Sequence, residues 1–198
     1  MRIKRKVNLL IILTVALLLA GFLFGLFFFG IENLEKIEQH ELEKDSLAAE
    51  NYLYYKISSV NQLNRDWSYW DSSYYFMDDM DSYYIEENLP ESTFTNLELD
   101  AILYFDKKGE FFYGRYYDFE ENKFTEIPGN FIKKVKESNY VKTPSFYSNR
   151  AGIIDADGDI YIVTINPLLK SNLDGPVNGV FVMAKKLSGD YLQEFQRK

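Results

Sequence analysis

The chain opens on one long hydrophobic block and then changes rhythm twice. Residues 7–29 read VNLLIILTVALLLAGFLFGLFFF, 23 positions without a charge. A bilayer core about 30 Å thick is crossed by roughly 20 apolar residues of helix, and only a helix can satisfy a single segment's backbone in lipid. This block is expected to span a membrane. Glu32 to Asn64 holds neither Gly nor Pro and predicts a long helix leaving the membrane. Its first half, ENLEKIEQHELEKDS, is charged on most sides, and Leu34, Ile37 and Leu42 make no sustained heptad seam. That half reads as a solvated stalk able to pair weakly in a dimer. Farther on, Leu53, Ile57, Val60, Trp67 and Tyr74 recur at helical spacing, with Asn64, Trp70 and Asp71 on the same stripe. The expectation is one buried helical face with two polar residues set into it.

After Asp78 the segment DDMDSYYIEENLPE predicts a turn, a short helix and a turn ended by Pro90, with one more helical turn over 92–97. The period then becomes that of strands. AILYF (101–105), an Asp106-Lys107-Lys108-Gly109 turn and EFFYGRYY (110–117) make a hairpin. NFIKKVKES (130–138) is a short amphipathic helix. Residues 152–156, the turn Asp157-Gly158 and DIYIVTIN (159–166) make a second hairpin, since Asp-Gly is a strong local turn signal. A turn at Asp174-Gly175-Pro176, a fifth strand over 179–185 and a helix capped by Ser188 complete the chain. The predicted organisation is a tail (1–6), a span (7–29), a stalk helix (30–61), a folded domain (62–187) and a C-terminal helix (188–198). The fold class is α+β: a five-stranded antiparallel sheet with helices on one face, in the PAS-like or Cache-like order.

Charge sets the orientation. Arg2, Lys4, Arg5 and Lys6 precede the span, while Glu32, Glu35, Lys36 and Glu38 follow it. Positive residues stay cytoplasmic, so the N-terminus is expected inside and the domain outside the cell membrane, on a single pass. A cleaved signal peptide has an apolar core of about 7–15 residues, shorter than this one, so an uncleaved anchor is favoured. Four of the 22 basic residues and none of the 30 acidic ones lie in residues 1–30, leaving residues 31–198 with a net charge of −12. That balance argues against nucleic acid and against docking on anionic lipid. The absence of cysteine removes disulfides, thiolate nucleophiles and Cys-based zinc sites.

Three stretches resemble the fourth class of CHASE domains, extracellular sensors associated with histidine kinases and cyclases. DWSYWDSSYYF (66–76) is similar to its Trp-x-x-Trp-Asp signature. NLELDAILYFDKKGEFFYG (96–114) resembles its first hairpin, and INPLLKSNLDGPVNGVFVMAKKL (165–187) its closing segment. The resemblance covers Gln62 to Leu187. It implies a sensory input module that passes its signal to a cytoplasmic output module, kinase or cyclase; a homodimer is the further partner expected, by way of the stalk. Members generally lie between two membrane helices; this sequence stops at Lys198 after one. It is then either a piece of a longer receptor or a sensor that signals through a partner.

Within that frame Trp67, Trp70, Asp71 and Tyr74 stand at i, i+3, i+4 and i+7. Aromatic rings beside a carboxylate suit an amine-bearing ligand. The plainer reading is that the Trp rings fill the core and Asp71 accepts loop N–H groups. Tyr104 on the first strand and Arg115 on the second complete the candidate ligand-binding set. Arg115 is placed to clamp a ligand carboxylate, or to pair with Asp71 or Asp100. Asp155-Ala156-Asp157-Gly158-Asp159 is read as a turn, because a calcium loop needs a glutamate at a spacing this chain lacks. His40 is the single histidine, so neither a zinc site nor a nucleophile–base pair assembles around it. The expected role is a receptor for a small external ligand, without cofactor, metal or catalysis. The alternative is an anchored protein-interaction module with no small ligand.

Overall fold

The computed structural model describes residues 2–138, 141–142 and 149–187. The predicted C-terminal helix over 188–198 lies outside them. The chain divides into two compact units, Met1–Asn51 and Tyr52–Lys198.

The first unit is helical throughout its described length and belongs to α1 (Arg2–Ser68). Ile3–Phe29, with a mean hydropathy of 2.8 and no part buried, is long and apolar enough to cross a membrane. Beyond it Ile37, Leu42 and Leu47 stand exposed.

The second unit starts with the last turns of α1 and continues through α2 (Asp71–Asp79), α3 (Ser82–Asn88) and α4 (Glu91–Leu97). The strands follow: β1 (Ala101–Phe105), β2 (Phe111–Asp118) and β3 (Lys123–Thr125), then α5 (Gly129–Glu137), β4 (Arg150–Ala156), β5 (Asp159–Pro167) and β6 (Val180–Lys186). All pairs are antiparallel, in the order β3-β2-β1-β6-β5-β4. The sheet has six strands where the sequence predicts five. β3 is only Lys-Phe-Thr, too short to show a period, and it is set against β2 by a reversal through Asn122 at φ 52°. The two predicted hairpins are β1–β2 and β4–β5, and β6 closes the sheet between them.

Turn chemistry fixes both hairpins. The Asp106 carboxylate accepts the N–H groups of Lys108 and Glu110, both at 2.8 Å, and Gly109 adopts φ 78°. Asp157 and Gly158 both take positive φ, as a type I′ turn requires, and Asp155 accepts the Gly158 N–H at 2.9 Å.

Helices cover both faces of the sheet rather than one. Every residue of β1 is buried. Because side chains alternate, Ala101, Leu103 and Phe105 join a core under α5, with Phe131 and Val135. Ile102 and Tyr104 join a second core, with Val60 of α1, Phe76 of α2, Tyr84 of α3 and Phe94 of α4. A strand apolar at every position has no solvent side, so one layer of helices cannot serve it. The amphipathic helix over 130–138 supplies the second layer.

Candidate functional site

The chain breaks at the residues that carry the tryptophan motif. α1 ends at Ser68, and Trp70 is extended (φ −90°, ψ 138°) before α2 begins at Asp71. The Ser68 carbonyl accepts the N–H of Leu169, from the loop after β5, at 3.0 Å instead of continuing the helix. Trp67, Trp70, Asp71 and Tyr74 therefore do not share one helical face, contrary to their spacing. The break folds the Trp70 ring onto Trp67, centroids 4.8 Å apart, and Trp67 lies parallel to Phe181 of β6 at 6.4 Å. Trp70 is left 38% exposed, and Asp71 is exposed rather than set into a buried stripe.

Residues 168–178 strap this corner. Asp71 accepts the Ser171 N–H at 2.9 Å, the role of a carboxylate receiving a loop amide. Tyr74, 6% exposed, donates its hydroxyl to the Pro176 carbonyl at 3.0 Å. Asn178 donates to the Tyr74 carbonyl at 2.8 Å and to Asp78 at 3.0 Å. The Lys170 ammonium stands 5.4 Å from the Tyr74 ring and 5.3 Å from that of Tyr75, so the amine on these rings is the protein's own.

Tyr104 is fully buried, and its hydroxyl bonds that of Tyr84 at 2.7 Å, which bonds Ser73 at 2.8 Å. Burial pushes the Tyr104 phenol well above its ordinary range and raises Tyr84 too. The Phe76 ring fills the space among Tyr84, Tyr104, Phe112 and Tyr113, at 4.6 to 5.8 Å. Tyr104 reaches the tryptophan corner through Phe181, at 4.9 Å. Arg115 is not part of that corner. It donates to the Leu89 carbonyl at 2.8 Å and the Tyr113 hydroxyl at 3.0 Å, and its guanidinium stands 4.8 Å from the Phe124 ring. Neither Asp71 nor Asp100 accepts these bonds; a helix-end carbonyl and a tyrosine hydroxyl take the guanidinium instead.

The structure gives a role to Asn64, expected as a polar residue of the buried stripe, and adds Asn61, Thr164 and Asn166, which stand outside the candidate set. Asn64, fully buried, donates its amide to the Thr164 carbonyl (2.8 Å), the Thr164 hydroxyl (2.9 Å) and the Phe181 carbonyl (3.3 Å). Asn166, also fully buried, donates to Asn64 Oδ1 at 2.9 Å and Asn61 Oδ1 at 3.2 Å. These amides bolt α1 to the middle of the sheet. The signal was present in DIYIVTIN, where Thr164 and Asn166 alternate with Val163 and Ile165, but only a partner across 100 residues of chain shows its meaning.

A second buried polar group closes β1 against β6. Asp100, 6% exposed, accepts the Lys186 N–H at 2.6 Å. Burial raises its carboxyl to about 6, against the pull of that bond and of Lys185 and Lys186, with Asp118 adding a small push upward. Beside it Lys185 pairs with Glu98, which lowers the Glu98 carboxyl.

The CHASE4 domain profile matches residues 52–198, beginning where the second compact unit begins. The chain belongs to the CHASE4 domain family. Such a domain is a signal-input module, and here it follows a candidate membrane-spanning helix. Over 178 residues the chain is 25% identical to the methanogenesis regulatory histidine kinase FilI of Methanothrix harundinacea (strain 6Ac). The match covers 90% of this chain and 20% of that kinase, so the chain spans about a fifth of its curated relative. The fold is shared with the extracellular domain of vpHK1S-Z8, a protein assigned as a histidine kinase, at a TM-score of 0.54 and 17% identity, over 83% of this chain and 60% of that one. A domain of a sensory box/GGDEF family protein from Vibrio parahaemolyticus aligns with a TM-score of 0.45 and 15% identity, over 77% of this chain and 63% of that one.

Proposed function

We propose that this CHASE4 domain lies outside the cytoplasm and binds a small ligand on the α1 side of its sheet, at the corner formed by Trp67, Trp70, Asp71 and Tyr74. Tyr104 stands at the inner end of that site, behind Phe181, while Arg115, turned to the Leu89 carbonyl and the Tyr113 hydroxyl, lies outside it. The observation that carries the reading is the bolting of Asn64 to β5 and β6, because Asn64 belongs to the helix whose N-terminal part is the apolar span. A ligand that binds one arrangement of this corner more tightly shifts the population toward it, and α1 is the element by which the difference leaves the domain. The role is input rather than catalysis. The output is a kinase or cyclase module, carried in a longer chain or supplied by a partner, and the working state is a homodimer.

The test is thermal stability of the membrane-inserted chain across a library of amino acids, amines, alcohols and organic acids. A ligand present at 100 times its Kd stabilises by about 2.7 kcal/mol, a readily measured rise in Tm. If no compound shifts the transition while an exterior protein partner is retained, the domain is an interaction module instead.

A further inference from the structure

The polarity of the buried amide network determines the chemistry of the partner it lacks. The backbone carbonyls of Thr164 and Phe181 can only accept, so the end of Asn64 that faces them is its NH2 group. The reverse orientation would set an amide oxygen against two carbonyl oxygens. Asn64 Oδ1 therefore points at Asn166, and Asn166 must present its own NH2 group there. The second N–H of that group goes to Asn61 Oδ1. What remains is Asn166 Oδ1, on a side chain with 0% exposure and with no partner among the described residues. An amide oxygen has two lone pairs, and leaving it unmet in a buried position is unfavourable. The missing group is a donor. A donor-free carboxylate would place oxygen against oxygen.

The surroundings narrow the class further. Asn166 lies opposite Phe181 in the β5–β6 register, and the Phe181 ring contacts both Trp67 and Tyr104. Aromatic faces favour a cation, and residues 31–198 carry a net charge of −12. Asn61, half-buried on α1, forms the outer edge of the network. We propose that Asn166 Oδ1 is a ligand contact of the sensor site and receives an N–H or O–H donor, from a small protonated amine or an alcohol. This rests on the reading of the domain as a small-ligand receptor. It also gives binding a direct route to α1. A donor on Asn166 Oδ1 polarises the same amide whose N–H groups hold Asn61 and Asn64, neighbours one turn apart on that helix.

The experiment uses the full chain in nanodiscs with three probe sets: alkylamines and amino acids, small polyols, and short carboxylates without a donor. The readouts are Tm, Kd, and the 15N side-chain amide signal of Asn166. The expected result is binding by a member of the first two sets, inertness of the third, and a Kd weakened about 10- to 100-fold by Asn166→Leu. If Asn166→Leu does not fold, the wild-type amide signal decides: it moves on saturation when the contact exists. A bound ligand that leaves this signal unmoved, a Kd unchanged in the variant, or binding by the donor-free carboxylates overturns the donor contact and leaves the receptor reading standing. Binding by no probe, with only a resident water at Asn166, overturns both.

Discussion

Phe76 shows how much of this domain hangs on single side chains. It is 1% exposed, and four aromatic rings from α3, β1 and β2 surround it. Phe76→Ala should cost about 3–5 kcal/mol, read as a lower denaturant midpoint with little change in slope. Asn64→Leu removes the donor to three acceptors while keeping bulk, and should cost on the order of 1–3 kcal/mol in the same measurement. Asp100 makes stability depend on pH. Its carboxyl sits at about 6 in the folded protein, above the ordinary 3.8. Between those values the folded state keeps a proton that the unfolded chain has released. The stabilisation is complete below about pH 4 and is lost as the pH rises through about 6. The displacement corresponds to on the order of 3 kcal/mol. Asp100→Asn keeps an oxygen for the Lys186 N–H and cannot ionise. The unfolding free energy of the variant minus that of the wild type should therefore rise by about that amount between pH 4 and 7. A flat difference would show that Asp100 titrates alike in both states.

At the scale of elements, the entries and exits of strands are where geometry constrains the sequence. Gly179 precedes β6 at φ 137°, and a Cβ there would run into the Phe105 carbonyl of β1. Gly158 also has positive φ, at 89°, but faces open space. Gly158→Ala should cost about 1 kcal/mol, from the left-handed conformation alone. Gly179→Ala adds a backbone collision and should cost clearly more, about 2–4 kcal/mol, as two thermal melts would show. The break between α1 and α2 belongs to this scale as well. The apolar stripe continues from Leu53 to Tyr74 at helical spacing, yet the Leu169 N–H takes the Ser68 carbonyl and the helix stops. Local periodicity cannot register a competing donor a hundred positions away.

For the whole molecule, the decisive quantity is the side of the membrane on which the second unit lies. With Arg2, Lys4, Arg5 and Lys6 ahead of the span, protease added to intact cells should remove residues 52–187 and leave the N-terminal tail protected. Protection of the domain until the cells are opened would reverse the orientation and with it the receptor role. The CHASE4 assignment itself would stand, because it rests on residues 52–198 and not on the anchor.

The sequence alone determined the apolar span, the long helix, the two hairpins and the family. Each is written in local signals: an uncharged run, a helical period, an Asp-x-x-Gly or Asp-Gly turn, a Trp-x-x-Trp-Asp motif. Over the all-apolar AILYF run the sequence predicts helices on one face only, and it is the tertiary structure that sets α5 on the other. The tertiary structure decided what depends on partners distant in sequence. It set the place where α1 gives way to α2, turned Arg115 toward Leu89, and paired Asn64 and Asn166 across the sheet. A hydrogen bond needs its donor and acceptor in one place, and only the folded chain brings residues a hundred positions apart within 3 Å of each other.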